Sequence, residues 1–328
     1  MTRYAIGVDT GGTNVKLAVV DEAGAIHLHD TFPTPQDTTP EPLVNRIIQN
    51  VTAFRDRANA EGYQVEGIAF TIPHFCEGPD WIQLQTNNIP ALEGVPLRPP
   101  LREAFGDSIA IINDLSAMGI AEHMFGKGRN AKRMLLMAIG TGIATSVVTQ
   151  DGLVQYSWGT TGDTGMMIVD PHGLSDCTCG GRGCLESVAG GWAIRKRALR
   201  EVERGKRTML ADILREKGDL EARDVAEAAQ AGDVVAMSIW EQVGFFIGVA
   251  LTSYLHIFAP TLIVLAGGIA QAGNLLTDPI RQTMNRLASP WYLDRLTGIE
   301  TSELGKNGGA IGGASLILYP GRYLRQNT

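Results

Sequence analysis

The sequence predicts an α/β protein built in two halves, and two observations carry that reading. Apolar residues 4–8, a glycine turn Gly11-Gly12-Thr13 and a second apolar run at 15–20 form one strand–turn–strand element, closed by Asp21-Glu22-Ala23-Gly24. The pattern returns as residues 134–139, Gly140-Thr141-Gly142 and residues 143–148, closed by Gln150-Asp151-Gly152. Each is an apolar strand that turns on glycine, returns as a second strand and ends in a hairpin signal. A chain of 328 residues exceeds one ordinary core, which also points to two domains.

The elements follow in order. Residues 1–32 read as a three-stranded meander. Residues 40–60 are helical, with Leu43, Val44, Ile47, Ile48, Val51 and Phe54 on one apolar face. A strand at 65–72 leads into an irregular, proline-rich stretch at 73–100, a short helix at 101–105 and a buried strand at 108–112. Asn113-Asp114 stands at that strand's end and a helix continues over 115–125. The second half opens on the hairpin at 134–148, followed by a glycine-rich loop at 159–183. Helices are expected across 185–204, 208–216, 222–229 and 233–258, a buried strand at 262–265 ending in Ala266-Gly267-Gly268, and helices at 272–287 and 308–318. Two such α/β halves fit doubly wound or ribonuclease-H-like domains with a cleft between them. The expected division is residues 1–115 with 307–328, carrying the first glycine turn, and residues 116–306, carrying the second.

Composition narrows the function. Apolar content of 44% with 19% charged residues is that of a soluble globular protein. A net charge of −7 and the lack of an uninterrupted basic stripe argue against a nucleic-acid partner; the densest basic run, 195–207, is broken by Glu201 and Glu203. The apolar stretch 234–258 is long enough to span a bilayer, but Ser238, Glu241, Gln242, Thr252, Ser253 and His256 favour a buried helix ending before Pro260. Met1-Thr2-Arg3 leads directly into a strand with no signal-peptide pattern, so a cytoplasmic setting and no membrane partner are expected.

Three constellations carry chemistry. Glycine lets backbone N–H groups approach an anion because no Cβ intervenes, so two such turns could grip a polyphosphate, although a glycine turn between strands also serves as a plain hairpin. Asp9 and Lys16 flank the first turn; a carboxylate beside a phosphate-binding turn calls for a bridging cation, and Mg²⁺ is held through one or two carboxylates plus phosphate oxygens. Asp114 lies where a strand ends and a helix begins, where α/β sheets place ligands. It is a candidate base for a hydroxyl attacking phosphorus, or, like Asn113, a helix N-cap. Cys177, Cys179 and Cys184, spaced i, i+2 and i+7 in a glycine-rich loop, can converge on one tetrahedral Zn²⁺ rather than form disulfides in a reducing setting.

Together these elements resemble the ROK family of sugar kinases and sugar-responsive repressors, within the actin/hexokinase-like superfamily, over nearly the whole chain. Asp9-Thr10-Gly11-Gly12-Thr13 with Lys16 is similar to its first phosphate motif and Ile139-Gly140-Thr141-Gly142-Ile143 to its second. Asn87-Asn88-Ile89-Pro90 resembles its sugar loop, Asn113-Asp114 its catalytic pair, and the run from Cys177 to Cys184-Leu185-Glu186 its zinc-and-sugar signature. Val264-Leu265-Ala266-Gly267-Gly268 resembles the adenosine-side turn. The resemblance implies two ribonuclease-H-like, actin-like domains closing on ATP and a sugar, with Asp114 as general base. Asn88, Asn113, Asp163 and Glu186 would hold sugar hydroxyls, and Asp9 would help place Mg²⁺. Gly11, Gly12, Thr13, Lys16, Thr141 and Gly142 would serve the phosphates, and Gly267 and Gly268 the nucleoside. A homodimer is also implied.

Departures from the family pattern concern the sugar and metal sites. Where members usually carry Gly-Glu-x-Gly-His, this chain reads Gly162-Asp163-Thr164-Gly165-Met166. Asp163 is one methylene shorter, and Met166 cannot act as an imidazole, so His172 is the candidate fourth zinc ligand. A solvent-exposed loop histidine is the competing reading. Pro73-His74 stands where Pro-Gly is common, and the second turn continues Ala144-Thr145-Ser146. The leading expectation is an ATP-dependent kinase for a hexose or hexose derivative, with N-acetylated and ketose sugars as open as glucose. A catalytically silent sugar sensor of the same fold is the alternative. A DNA-binding repressor is disfavoured, since eight residues precede Asp9 and no basic recognition helix is apparent.

Overall fold

The structure is a computed structural model that describes residues 2–36, 39–73, 75–85, 89–155, 160–173 and 175–324. The chain divides into two compact units, one of Met1–Ala131, Ser146–Gly162 and Glu303–Thr328, the other of Lys132–Thr145 and Asp163–Ser302. In the first, strands β1 (Tyr4–Thr10), β2 (Asn14–Asp21) and β3 (Ile26–Pro33) form an antiparallel meander. Helix α1 (Pro40–Ala60) leads to β4 (Val65–Ile72), then a small hairpin of β5 (Phe75–Glu77) and β6 (Ile82–Gln85), and helix α2 (Arg98–Phe105). Strand β7 (Ile109–Asn113) runs straight into α3 (Asp114–Phe125). The sheet order is β3-β2-β1-β4-β7, with β1, β4 and β7 parallel.

The chain continues with β8 (Arg133–Ile139), β9 (Ile143–Thr149) and β10 (Gly152–Leu153), then helices α4 (Leu185–Ala189), α5 (Gly191–Glu203), α6 (Leu210–Lys217), α7 (Ala222–Gln230) and α8 (Val234–Phe258). Strand β11 (Leu262–Ala266), α9 (Asn274–Leu287), α10 (Pro290–Leu293), β12 (Ile299–Thr301) and α11 (Gly308–Leu318) complete it. The second sheet is ordered β10-β9-β8-β11-β12, with β8, β11 and β12 parallel. Numbered within its own half, each sheet reads 3-2-1-4-5. The strand–glycine–strand repeat in the sequence is thus the visible part of a longer structural repeat.

Period-two alternation along β1 separates its two faces. Ile6 and Val8 join Leu17, Val51, Phe54 and Phe70 in a core of large side chains under α1. Ala5 and Ala18 face the other way, in a cluster of small residues with Ala121 of α3 and Ala310, Ile311 and Ala314 of α11. Glycine is required where these backbones meet: a Cβ on Gly312 would lie 1.8 Å from the Ala117 carbonyl oxygen, and one on Gly7 1.9 Å from that of Ala310. Helix α8 is long and apolar enough to cross a membrane by length and composition, and half of its most apolar stretch is buried within the protein. Ile247, Leu251, Tyr254 and Leu255 are on that buried side.

Three segments differ from expectation. The stretch 73–100 holds the β5–β6 hairpin, organised by the buried Gln83, whose Nε2 donates to the Pro73 carbonyl (2.8 Å) and whose Oε1 accepts from the Cys76 thiol (3.3 Å). Such ties have no periodic signature. The helix expected over 185–204 breaks at Gly190, because the Gly191 N–H is drawn to the Gly140 carbonyl (2.9 Å). Helix α10 and strand β12 are too short to show periodicity.

An alanine in a helix interior ordinarily gains about 1 kcal/mol over glycine. At position 312 the sign should reverse. Gly312→Ala is expected to lose about 1–3 kcal/mol of stability through overpacking against Ala117; a melting temperature equal to or above that of the unaltered protein would contradict the close approach.

Candidate functional site

The first glycine turn is organised by β-sheet register. Asp9 pairs with Lys16 across β1–β2 and with Thr71 across β1–β4, so all three side chains share one face. Lys16 Nζ lies 3.1 Å from Asp9 Oδ2 and donates to the Lys306 carbonyl (3.2 Å); the Thr71 hydroxyl donates to Asp9 Oδ1 (2.9 Å). The same carboxylate lies against the first turn of α11, where a Cβ on Gly309 would come within 2.6 Å of Oδ1. The turn is closed by the Gly11 N–H donating to the Asn14 carbonyl (3.0 Å). Gly11 and Gly12 are half-buried and Thr13 is exposed; these are the residues that the family resemblance assigns to phosphate.

Of the two residues that could cap α3, the structure selects Asn113. Asn113 is the N-cap of α3, its Oδ1 accepting from the Ser116 N–H (3.0 Å). Asp114 is the first helical residue and half-buried, with Oδ1 accepting from the Leu115 N–H (2.7 Å). Burial above all, and the Asp9 carboxylate with it, raise its pKa to about 7 against the opposing pull of the Leu115 N–H, its own N–H and Lys16. A carboxyl poised near neutrality is suited to taking up a proton. Asn88, expected to hold a sugar hydroxyl, and His74 lie outside the described residues.

In the other unit, the second turn is built around Glu186. Its Oε2 accepts from the Ile143 N–H (3.0 Å), and a Cβ on Gly142 would sit 2.3 Å from that oxygen, so a side chain there would displace the carboxylate. Burial raises the Glu186 pKa; the Ile143 N–H lowers it, and the carboxylate of the exposed Asp163 raises it. The structure therefore brings Thr141, Gly142, Asp163 and Glu186 into one neighbourhood. Gly267 follows β11 with a φ of 88°, and a Cβ there would meet the Ile139 carbonyl at 2.3 Å. Gly267 and Gly268 thus lie at the carboxyl ends of the parallel strands β8 and β11, where open α/β sheets bind ligands.

The sulfur atoms of Cys177, Cys179 and Cys184 lie within 4.8 Å of one another, and all are free thiols. Cys179 and Cys184 are 3.7 Å apart. Tetrahedral zinc with bonds of about 2.3 Å spaces its sulfurs by about 3.8 Å, so the cluster fits such an ion. Backbone bonds shape the loop: Cys177 N–H donates to the Gly181 carbonyl (2.9 Å), Gly180 N–H to the Cys177 carbonyl (3.0 Å), and Gly181 N–H to Cys179 Sγ (3.4 Å). His172, the expected fourth ligand, does not join them. It is exposed on a turn closed by the Gly173 N–H on the Asp170 carbonyl, and the Asp170 N–H is itself tied to the Gly183 carbonyl. Met166 is the side chain beside the cluster, with Sδ 3.4 Å from Cys177 Sγ.

Sequence reasoning missed Thr71, Lys306 and Gly309 around Asp9. Only Thr71 left a signal, as the residue facing Asp9 in the parallel register.

The profile of the ROK family matches residues 5–319. A glucokinase of Thermotoga maritima is 32% identical over 315 residues, covering 95% of this chain and 96% of its own. The crystal structure of a ROK family glucokinase from Streptomyces griseus in complex with glucose and AMPPNP is 27% identical, with a TM-score of 0.77 over 95% of this chain and 98% of that one. A ROK family transcriptional regulator homologous to the E. coli MLC protein superposes with a TM-score of 0.87 at 25% identity, over 96% of this chain and 77% of that one. The two-unit α/β architecture, the paired 3-2-1-4-5 sheets and the match along nearly the full length agree: this chain belongs to the ROK family.

Proposed function

We propose that this protein is a cytoplasmic ATP-dependent sugar kinase acting on a hexose or hexose derivative. The observation that carries the reading is Asp114: a half-buried carboxyl at the carboxyl end of a parallel strand, released from capping by Asn113 and raised to about 7. The glucokinase relatives support the substrate class.

In the proposed reaction Asp114 accepts the proton of a sugar hydroxyl as that oxygen bonds the γ-phosphorus of ATP. The bond from the γ-phosphorus to the bridging oxygen breaks and ADP leaves with that electron pair. Gly11, Gly12, Thr13, Thr141 and Gly142 line the phosphate path, with the Gly11 N–H closing its own turn and the N–H groups of Gly12 and Thr13 left to the phosphates. Lys16 supplies fixed positive charge, and Gly267 and Gly268 accommodate the nucleoside. Asp9, fixed by Thr71, is the residue that would hold Mg²⁺, which neutralises phosphate charge when bound. Asn88, Asn113, Asp163 and Glu186 orient the sugar. The Cys177, Cys179 and Cys184 thiolates would hold a structural ion that pins the loop preceding Glu186. On this reading the first-loop domain comprises residues 1–115 with 307–328, residues 116–306 carry the second phosphate loop, the cysteine loop and the nucleoside side, and the protein acts as a homodimer.

A sugar-binding sensor is the second reading, favoured by the close superposition on a transcriptional regulator. ATP consumption across a panel of hexoses separates the two; binding of a sugar with no turnover of any would select the sensor.

Asp114→Asn should lower kcat by about 10²–10⁴-fold with sugar affinity nearly unchanged, and retained turnover would remove Asp114 as the base. In the unaltered enzyme kcat/KM should fall about tenfold per unit as pH drops below about 7, because the base is then protonated. The stability effect has the opposite sense. The folded pKa lies above the ordinary 3.8, so the folded state gains from protonation, and that gain is lost as pH rises through about 7. Asp114→Asn should therefore be more stable than the unaltered protein at pH 8, by on the order of 2 kcal/mol; chemical denaturation showing a less stable variant would contradict the buried-charge account. Glu186→Gln should raise the sugar KM about 10–100-fold, the worth of one hydrogen bond to a charged group, and change kcat less. An unchanged KM would rule out its orienting role.

A further inference from the structure

The cysteine loop has a fourth sulfur. Met166 ends the short 3-10 turn Thr164–Met166, and four contacts hold that turn in place. The Met166 N–H donates to the Asp163 carbonyl (3.1 Å), and the Tyr254 hydroxyl donates to the Thr164 carbonyl (2.5 Å) from the buried side of α8. The Leu185 N–H donates to the Met167 carbonyl (2.8 Å), and Ile168 forms an antiparallel bridge with Cys184. Gly165 packs so tightly on β9 that a Cβ would lie 2.0 Å from the Ile143 carbonyl oxygen. Backbone bonds on both sides of Cys184 therefore fix where the Met166 side chain departs. Its Sδ lies 3.4 Å from Cys177 Sγ, within the spacing of two donors on one ion. Met166 is only half-buried, so packing alone does not account for a thioether at this place. Among the described residues, no His, Asp or Glu joins the three thiols.

We propose that the Met166 thioether is the fourth ligand, so that the loop presents an all-sulfur site of three thiolates and one thioether. A thioether is neutral, soft and a weak donor to Zn²⁺, whereas thiolates and thioethers together suit Cu⁺ and other thiophilic ions. The site accordingly binds Zn²⁺ less tightly than one with an imidazole at the same position, and its preference is displaced toward soft ions. The inference rests on the reading of this loop as a metal site.

The test uses the full-length reduced protein. Zinc content after dialysis establishes whether the loop holds an ion: about one per chain is expected, with loss in Cys179→Ser. Absence of zinc from the unaltered protein, after reconstitution with Zn²⁺, would overturn the metal-site reading itself and the inference with it. X-ray absorption at the zinc edge then counts donors. Four sulfurs are expected in the unaltered protein and in His172→Ala, and three sulfurs with one nitrogen or oxygen in Met166→Leu. Met166→His should give three sulfurs and one nitrogen, bind Zn²⁺ about tenfold more tightly by chelator competition, and show a lower ratio of Cu⁺ to Zn²⁺ affinity. Three sulfurs and one light atom in the unaltered protein, unchanged in Met166→Leu, would overturn the thioether assignment while leaving the metal site standing.

Discussion

The contact between α11 and the first sheet is the constraint on which the candidate chemistry depends. Backbones at Gly7, Ala310, Ala117 and Gly312 meet at distances that no side chain tolerates. That approach brings the first turn of α11 onto Asp9, beside the Lys16 and Thr71 side chains that share its face. A helix N-terminus favours negative charge, so the carboxylate, bonded by a hydroxyl and an ammonium, also lies in the favourable field of a helix end. Side chains of ordinary size at the small positions would separate the helix from the strand and leave Asp9 to solvent. The alanine- and glycine-rich face therefore sets the surroundings of Asp9 as well as the packing of the core.

Charge burial sets the second constraint. Asp114 costs the fold stability when ionised, because it is withdrawn from water and close enough to Asp9 to feel its charge. The Leu115 N–H, its own backbone N–H and the Lys16 charge offset part of that cost. Native chains seldom retain an incompletely compensated carboxyl in this setting without a use for it. Asn113 performs the capping that would otherwise occupy Asp114, and a neutral amide caps a helix as well as a carboxylate does. The division between two adjacent residues thus leaves the Asp114 carboxyl, the candidate base, outside the capping of the helix.

The same logic runs through the second unit. Glu186 closes on the backbone of the second glycine turn through Ile143, and the residue immediately before it is bonded back to the segment that carries Met166. The sulfur cluster, the turn and the candidate sugar carboxylates are consecutive parts of one hydrogen-bonded assembly. Cys184 and Glu186 are two residues apart, so an ion held by the proposed sulfur site would be coupled to Glu186 through the chain itself.

The sequence by itself determined the class of fold, the two glycine turns and most helices and strands, because period-two and helical patterns and turn residues are local properties. It also marked Asp9, Lys16, Asp114, Glu186 and the three cysteines, whose types and spacings carry chemistry wherever they fold. Only the tertiary structure decided which of Asn113 and Asp114 caps α3, since that choice depends on a hydrogen bond and not on composition. It showed that the β5–β6 hairpin forms inside a proline-rich stretch, through a buried glutamine that reaches across the segment. It placed Thr71, Lys306 and Gly309 around Asp9, residues separated from it by most of the chain's length or by an intervening helix. And it set Met166 rather than His172 beside the cysteines, because backbone bonds to residues 184 and 185 fix the one side chain while a turn carries the other into solvent.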